Sequence, residues 1–511
     1  MGVFVQQQRK WWALFGVSIA SFLGCVDFTI VNTALPALQA DLNSSVDSLQ
    51  WVINGFILAL SSFMVLVGRL ADLYGRRRVL FIGLTVFGLA SLAAGLAKGI
   101  DLLIAARVAQ GLACAVLYTA SGAIVAHAFA PEEQGRAFGV LFSVNGVGLA
   151  IGPVLGGVIA SAFGWQWIFL LNVPFVLLSI GITAWAAEES RGEQQGLDGW
   201  GALLLLIGLP SLVLLFVQGS GWGWTSPASL GLLAVAVLTL LTFIQVERRV
   251  KAPIVDLALF ANRRFVAAVV ASFSLAVFYC LAFFVMPLYL ALIRGDSVQT
   301  SGLLLLPTTL GVAVLSPLVG RLVDRKGPGL LIQAGLALFV LSAVLQAGFD
   351  AHTSLAYLLG AFAVMGLGWA CILGPSTVLG MTSVPPQISS VAMGSLMTLH
   401  NIGGGLGLAV GVGIYRYFAA TELAVRSGAG EGSVGWLNAA VAQPEQGVAV
   451  LSQHLGQSAD VLAGFVQHAF LQGYQAVMVF LAVVLALALT SVTLLVRRPA
   501  LAVPSGETAQ G

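Results

Sequence analysis

Fourteen apolar runs, each about 20 residues or longer, follow one another along the chain, from roughly 11–36 to roughly 471–497. A helix needs about 20 apolar residues to cross a bilayer. In lipid every backbone N–H and C=O must be satisfied within the protein, so runs of this length form helices. The charge balance excludes the alternative of a large soluble core. Only 9% of the 511 residues are charged, against about 25% in soluble domains. The expected fold class is therefore an all-α integral membrane protein with fourteen transmembrane helices.

The basic residues set the orientation. With the N-terminus inside, all 23 Lys and Arg lie on the cytoplasmic side except Lys98, Arg294, Arg416 and Arg426 outside and Arg107 within a span. This is the positive-inside bias. It predicts a multi-pass protein of the cell (inner, cytoplasmic) membrane with both termini cytoplasmic and no cleaved signal. Residues 247–264 form a basic cytoplasmic linker. Residues 419–470 form an outer loop, whose second part, "ADVLAGFVQHAFLQG", has helical spacing of apolar residues, and a short hairpin over the outer mouth is expected. The four cysteines lie far apart inside apolar runs and carry no metal-site or disulfide spacing.

An internal repeat divides the chain. Gly68-Arg69-Leu70-Ala71-Asp72-Leu73-Tyr74-Gly75 follows the second span, and Gly320-Arg321-Leu322-Val323-Asp324-Arg325-Lys326-Gly327 follows the tenth. Both fall on cytoplasmic turns. The simplest architecture is a six-helix bundle over 1–187, an inserted helix pair with its linkers over 188–264, and a second six-helix bundle over 265–511. Repeats of this kind place the substrate site at their interface, near the membrane midplane.

Four motifs then match one family. They are the loop at 68–77, "RVAQG" from Arg107 with Gln110 and Gly111, "GLAIGPVLGG" from Gly148 to Gly157, and "DFTIVNTALP" from Asp27 to Pro36. Together with the span count they resemble the major facilitator superfamily, in its fourteen-span drug:proton antiporter branch. The resemblance implies two six-helix bundles working by alternating access. It also implies multidrug efflux by proton antiport, with antibiotic resistance as the phenotype. Gly68, Arg69, Asp72, Gly75, Arg76 and, in the second copy, Asp324 are implied to gate the conformational change. Asp72 is expected to accept hydrogen bonds from the start of span thirteen, near Ser389 and Ser390. Gly148, Gly152, Pro153, Gly156 and Gly157 are implied to form the antiporter helix motif, a smooth and bendable interface that seals the halves against leak.

Asp27 is the only acidic residue deep in a span, and such residues are functional by default. It lies about nine residues from the outer end of span one, and Arg107 about six from that of span four, within one helical turn in depth. Burial disfavours a charged carboxylate and a nearby guanidinium favours it, so a moving helix can load and unload a proton. Asp27 and Arg107 are thus the proton-coupling candidates, with a static ion pair or direct binding of a cationic substrate as alternatives. His400 is a second candidate for relay, or else a packed residue. Asn32, Asn54, Asn145, Tyr279, Phe283, Tyr289, Trp369 and Asn401 are candidates for an apolar cavity with a few polar anchors. No acidic residue lies deep in spans nine to fourteen, which argues against polyvalent cations as substrates.

The expected function is a proton-coupled antiporter exporting lipophilic or amphipathic small molecules. A transporter of one lipid or metabolite and a transport-inactive receptor or scaffold are the alternatives. No metal-ligand cluster, nucleotide loop or nucleophile motif marks an enzyme. No cofactor and no nucleic-acid partner are expected. The proton gradient is the driver, membrane lipids and protons are the other partners, and the chain is expected to act as a monomer.

Overall fold

The structure, a computed structural model, describes residues 2–42, 44–192, 196–428, 436–437, 440–441, 444–455 and 457–497. Among them, fourteen helices are long and apolar enough to cross a membrane. The N-terminal half contains α1 (Gly2–Leu42), α2 (Val46–Tyr74), α3 (Arg76–Gly95), α4 (Ile100–Ala128), α5 (Gln134–Phe163), α6 (Gln166–Leu170) and α7 (Asn172–Ala186). The short α6 and α7 share one crossing. The break between them has a local cause. Pro174 lacks the N–H that would bond the Leu170 carbonyl one turn back.

An inserted pair follows, α8 (Gly199–Trp222) and α9 (Pro227–Glu247), and α8 packs on α2. The C-terminal half contains α10 (Arg263–Leu292), α11 (Val298–Lys326), α12 (Pro328–Ala347), α13 (Leu355–Thr382), α14 (Ser389–Ser427) and α16 (Ala459–Arg497), with the short α15 (Pro444–Leu455) before the last. Arg263 and Arg264 open α10, capped by the Asn262 side chain.

The long terminal connection differs from its expectation over 419–470. The helices run through both of its ends, and between them α15 packs back on the start of α16, with Gly447 against Val466. Helix α14 runs on to Ser427, and the stretch beginning at Ala459 is the first part of α16. Both helices keep an apolar stripe beyond membrane length. Leu423 on α14 and Leu462, Val466, Ala469 and Phe470 on α16 are buried, so packing carries the helices past the bilayer boundary. Residues 429–435 of that connection and the C-terminal Arg498 lie outside the described residues.

The two halves touch most closely at the end where α2 meets α3, here the motif end. There one buried apolar cluster joins Met64, Val65 and Leu141 of the first half to Val319, Val323, Val391 and Met393 of the second. Toward the opposite end, a separate cluster contains residues of the first half alone, among them Ile30, Leu49, Leu103 and Phe169.

Candidate functional site

The centre of the first half holds a buried polar network. Asp27 on α1 is fully buried, and Arg107 on α4 is 1% exposed. Arg107 donates to an Asp27 carboxylate oxygen through one terminal nitrogen, which also donates to Gln110 Oε1 at 3.0 Å. Its Nε donates to the Val52 carbonyl of α2 at 3.0 Å, and its guanidinium stands 4.2 Å from the Phe56 ring centroid. Gly111 makes this reach available. A Cβ there would lie 2.2 Å from the Phe56 carbonyl oxygen, so glycine lets α4 press against α2.

The other carboxylate oxygen of Asp27 accepts from Gln110 Nε2 and from Asn172 Nδ2, each at 3.2 Å. Both amides also donate to Ser91 Oγ on α3, at 2.8 and 3.3 Å. Every side chain bonded to Asp27 is thus a donor, an arrangement complementary to a carboxylate. Ser91 and Asn172 are absent from the sequence-based candidates. Their signal is their isolation, as polar residues within the apolar stretches "FGLASLAAG" and "IFLLNVPF". What converges on them is the break between α6 and α7, which no spacing rule anticipates.

At the motif end the two sequence repeats face opposite halves. The Asp72 carboxylate accepts from the backbone N–H of Ser390 at 3.3 Å and of Val391 at 3.0 Å, at the start of α14. A carboxylate at a helix N-terminus satisfies orphan donors and complements the helix dipole. Arg76, 1% exposed, binds Asp72 at 2.9 Å and donates to Ser390 Oγ and to the Pro386 carbonyl. In the second copy, Asp324 accepts from the Arg136 N–H at 3.0 Å, at the start of α5. The position matching Arg76 is there Pro328, so this copy lacks the arginine. Gly75 and Gly327 both adopt positive φ, 108° and 79°, at the turn that ends each copy. Gly68 gives close approach, since a Cβ would meet the Ser390 carbonyl oxygen at 2.5 Å. Arg69 donates to the Gly196 carbonyl at 3.3 Å.

The fifth-helix glycines lie elsewhere than expected. Gly148, Gly152 and Gly156 press on Phe22, Thr29 and Thr33 of α1, inside the same half. Gly157 meets nothing within 4 Å. The inter-half seam on α5 is made instead by Gly135, Gly139 and Gly146, against Asp324, Gly320, Ser316 and Ala313 of α11. Gly146 and Gly148 are two residues apart, about 200° around a helix, and so face opposite ways. Pro153 lies within the α5 helix without ending it.

The cavity candidates divide. Tyr279, Phe283 and Trp369 form one aromatic cluster, with the Tyr279 and Trp369 rings 4.8 Å apart. His400 lies 5.7 Å from Tyr279, its Nδ1 donating to the Ser272 carbonyl at 2.9 Å. It has no bond to the Asp27 network, which belongs to the other half. Asn401 contacts Met64 Sδ across the halves at 3.5 Å. Asn145 and Trp369 are buried, and among the described residues Asn145 Oδ1 and Trp369 Nε1 lack hydrogen-bond partners. Asn32 is exposed and Asn54 half-buried. Tyr289 does not belong to this group. It is buried within the second half, 5.3 Å from the Tyr474 ring and bonded to the Asp350 carbonyl, where it packs the bundle.

A family model described as Major Facilitator Superfamily matches residues 17–408. The chain belongs to the major facilitator superfamily. It is 36% identical over 402 residues to the multidrug resistance protein Stp of Mycobacterium tuberculosis, covering 78% of this chain and 74% of that one. It is 35% identical to the puromycin resistance protein pur8 of Streptomyces alboniger, covering 79% of this chain and 81% of that one. The human organic anion transporter MFSD10 (TETRAN) shares the fold, with a TM-score of 0.65 at 15% identity over 94% of this chain and 99% of that one. The protein is a multi-pass membrane transporter, and its superfamily is one of transporters, not enzymes.

Proposed function

We propose that this superfamily member is a proton-coupled antiporter that exports lipophilic or amphipathic small molecules by alternating access. The efflux reading rests on the relatives, which are multidrug and antibiotic resistance proteins. The coupling reading rests on one observation, the burial of Asp27 in contact with Arg107 at the centre of a membrane bundle. A charge is kept there at a cost, and protonation of a carboxylate bonded only to donors removes the charge that attracts Arg107. In this reading protonation weakens the hold of α1 on α4, and that loosening couples the proton to the movement of the halves.

In this reading the motif end is cytoplasmic, in line with the basic residues. The closed motif end makes this the outward-facing conformation. Substrate sits near Asn145 and Trp369, whose unpartnered polar atoms are rare in a buried position and are suited to bonding a ligand or water. The proton gradient supplies the energy and no cofactor takes part.

The test uses purified protein in proteoliposomes with an imposed pH gradient and a lipophilic fluorescent dye. Dye movement against its own gradient, accompanied by counterflow of protons, is the expected result. Dye movement that ignores the pH gradient overturns the coupling. Silence toward every lipophilic probe overturns the efflux reading.

A further inference from the structure

We propose that a cavity of about 590 Å³ on the flank of α3 is a binding site for an anionic phospholipid of the surrounding leaflet. The cavity lies where α3 begins, beside the segment that follows α7. Arg77, Arg78 and Arg191 stand at its mouth, and Phe81, Ile82 and Val86 form its wall.

The three arginines differ in state. Arg77 is anchored, donating to the Ala187 carbonyl at 2.8 Å with its guanidinium 5.9 Å from the Phe81 ring centroid. Arg78 and Arg191 are exposed, and among the described residues neither forms an ion pair. The one acid in the lining, Glu189, is exposed and bonded to the start of α3. Its two oxygens accept from the backbone N–H of Arg77 and of Arg78, each at 3.0 Å, capping α3. Against this one carboxylate stand three arginines, so the mouth carries a net positive charge.

Below the mouth, Arg78, Ile82, Thr85, Leu89, Leu92 and Leu96 recur at steps of four and three, which is one face of a helix. That face is exposed, with Ile82 at 58%, Leu89 at 63% and Leu96 at 62%. A cationic head over an apolar stripe running down the membrane matches a phosphate headgroup with acyl chains beneath it. A free phosphate would use the arginines and leave the stripe unused.

The location gives the site a consequence. The Ser190 carbonyl accepts from the Arg76 N–H at 3.0 Å, and the Gly192 N–H donates to the Asp72 carbonyl at 2.8 Å. A headgroup held between Arg78 and Arg191 therefore ties this segment to α3 beside the Asp72–Arg76 contacts.

Lipid retention by native mass spectrometry, in micelles doped with phosphatidylglycerol or phosphatidylcholine, tests the site without a gradient or substrate. It is thus independent of the coupling reading. The wild type is expected to retain phosphatidylglycerol selectively. The Arg78→Gln, Arg191→Gln pair should weaken that retention about 25-fold, from about fivefold per arginine. The Arg78→Lys, Arg191→Lys pair should keep the selectivity, which preserves the test if the glutamines disturb folding. Arg263→Gln with Arg264→Gln, at the start of α10, should leave retention unchanged. Retention by the glutamine pair equal to wild type, loss of selectivity in the lysine pair, an equal loss in the α10 pair, or displacement of the lipid by excess inorganic phosphate would each overturn the proposal.

Discussion

Asp27 meets three donors and no acceptor, and this decides what its substitutions do. Asp27→Asn keeps the shape and removes the charge. Uphill dye export in proteoliposomes should fall to background, while downhill exchange survives because nothing closes the path. Retained uphill export would leave the Asp27–Arg107 contact as a structural ion pair. Arg107→Ala strands a buried carboxylate, and a broken buried pair costs about 3–5 kcal/mol. Thermal unfolding in detergent should show that loss. Arg107→Lys should recover part of it, because an ammonium keeps the charge but cannot reach Asp27, Gln110 and the Val52 carbonyl in one plane. Equal stability of the lysine and alanine variants would show that the planar fork contributes nothing. At this scale Asp27 and Arg107 are legible in the sequence as lone charges at matching depths. Ser91 and Asn172 are not, since an isolated polar residue in an apolar run gives no indication of its partner.

Among the elements, α5 separates two uses of glycine. Toward α11, Gly139 faces backbone, where a Cβ would lie 2.6 Å from the Ser316 carbonyl oxygen. On the exposed face, Gly157 has open space. Gly139→Ala should cost the closed state about 1–3 kcal/mol by overpacking. Cysteine labels placed at the motif end should then react faster. Gly157→Ala should change neither reactivity nor export. Equal effects of the two would mean that the seam is not set by the α5–α11 approach. The four-residue glycine spacing at 148, 152 and 156 is plain in the sequence, but a smooth stripe fits any neighbour. Only packing shows that its neighbour is α1.

Across the whole molecule, the two motif copies are alike in Asp72 and Asp324 and unlike in Arg76 and Pro328. The first copy therefore holds its facing helix with more bonds. Asp72→Asn should open the motif end more than Asp324→Asn, as read by spin-label distances between the halves. The reverse order would show that the α5–α11 seam dominates closure. A pair of labels at Gly157 and Gly302, both with free space around them, reports the opposite end of the bundle. Alternating access requires that distance to shorten as the motif-end distance lengthens. Movement of both in the same sense would exclude it.

Hydropathy run length and charge placement act locally, and they determined the fourteen crossings, the internal repeat and the positions of Asp27, Arg107 and the two loop motifs. These are properties of single segments in a bilayer, where each helix must satisfy its own backbone. The tertiary structure alone decided which surfaces meet. It placed the glycine stripe on α1 and not between the halves, Tyr289 in the core of the second bundle, and Asn172 beside Asp27 at a break in the sixth crossing. It also extended α14 to Ser427, into the stretch whose composition suggested a loop. In each case the outcome depends on the shape of a neighbour distant in sequence, and no local pattern carries that information.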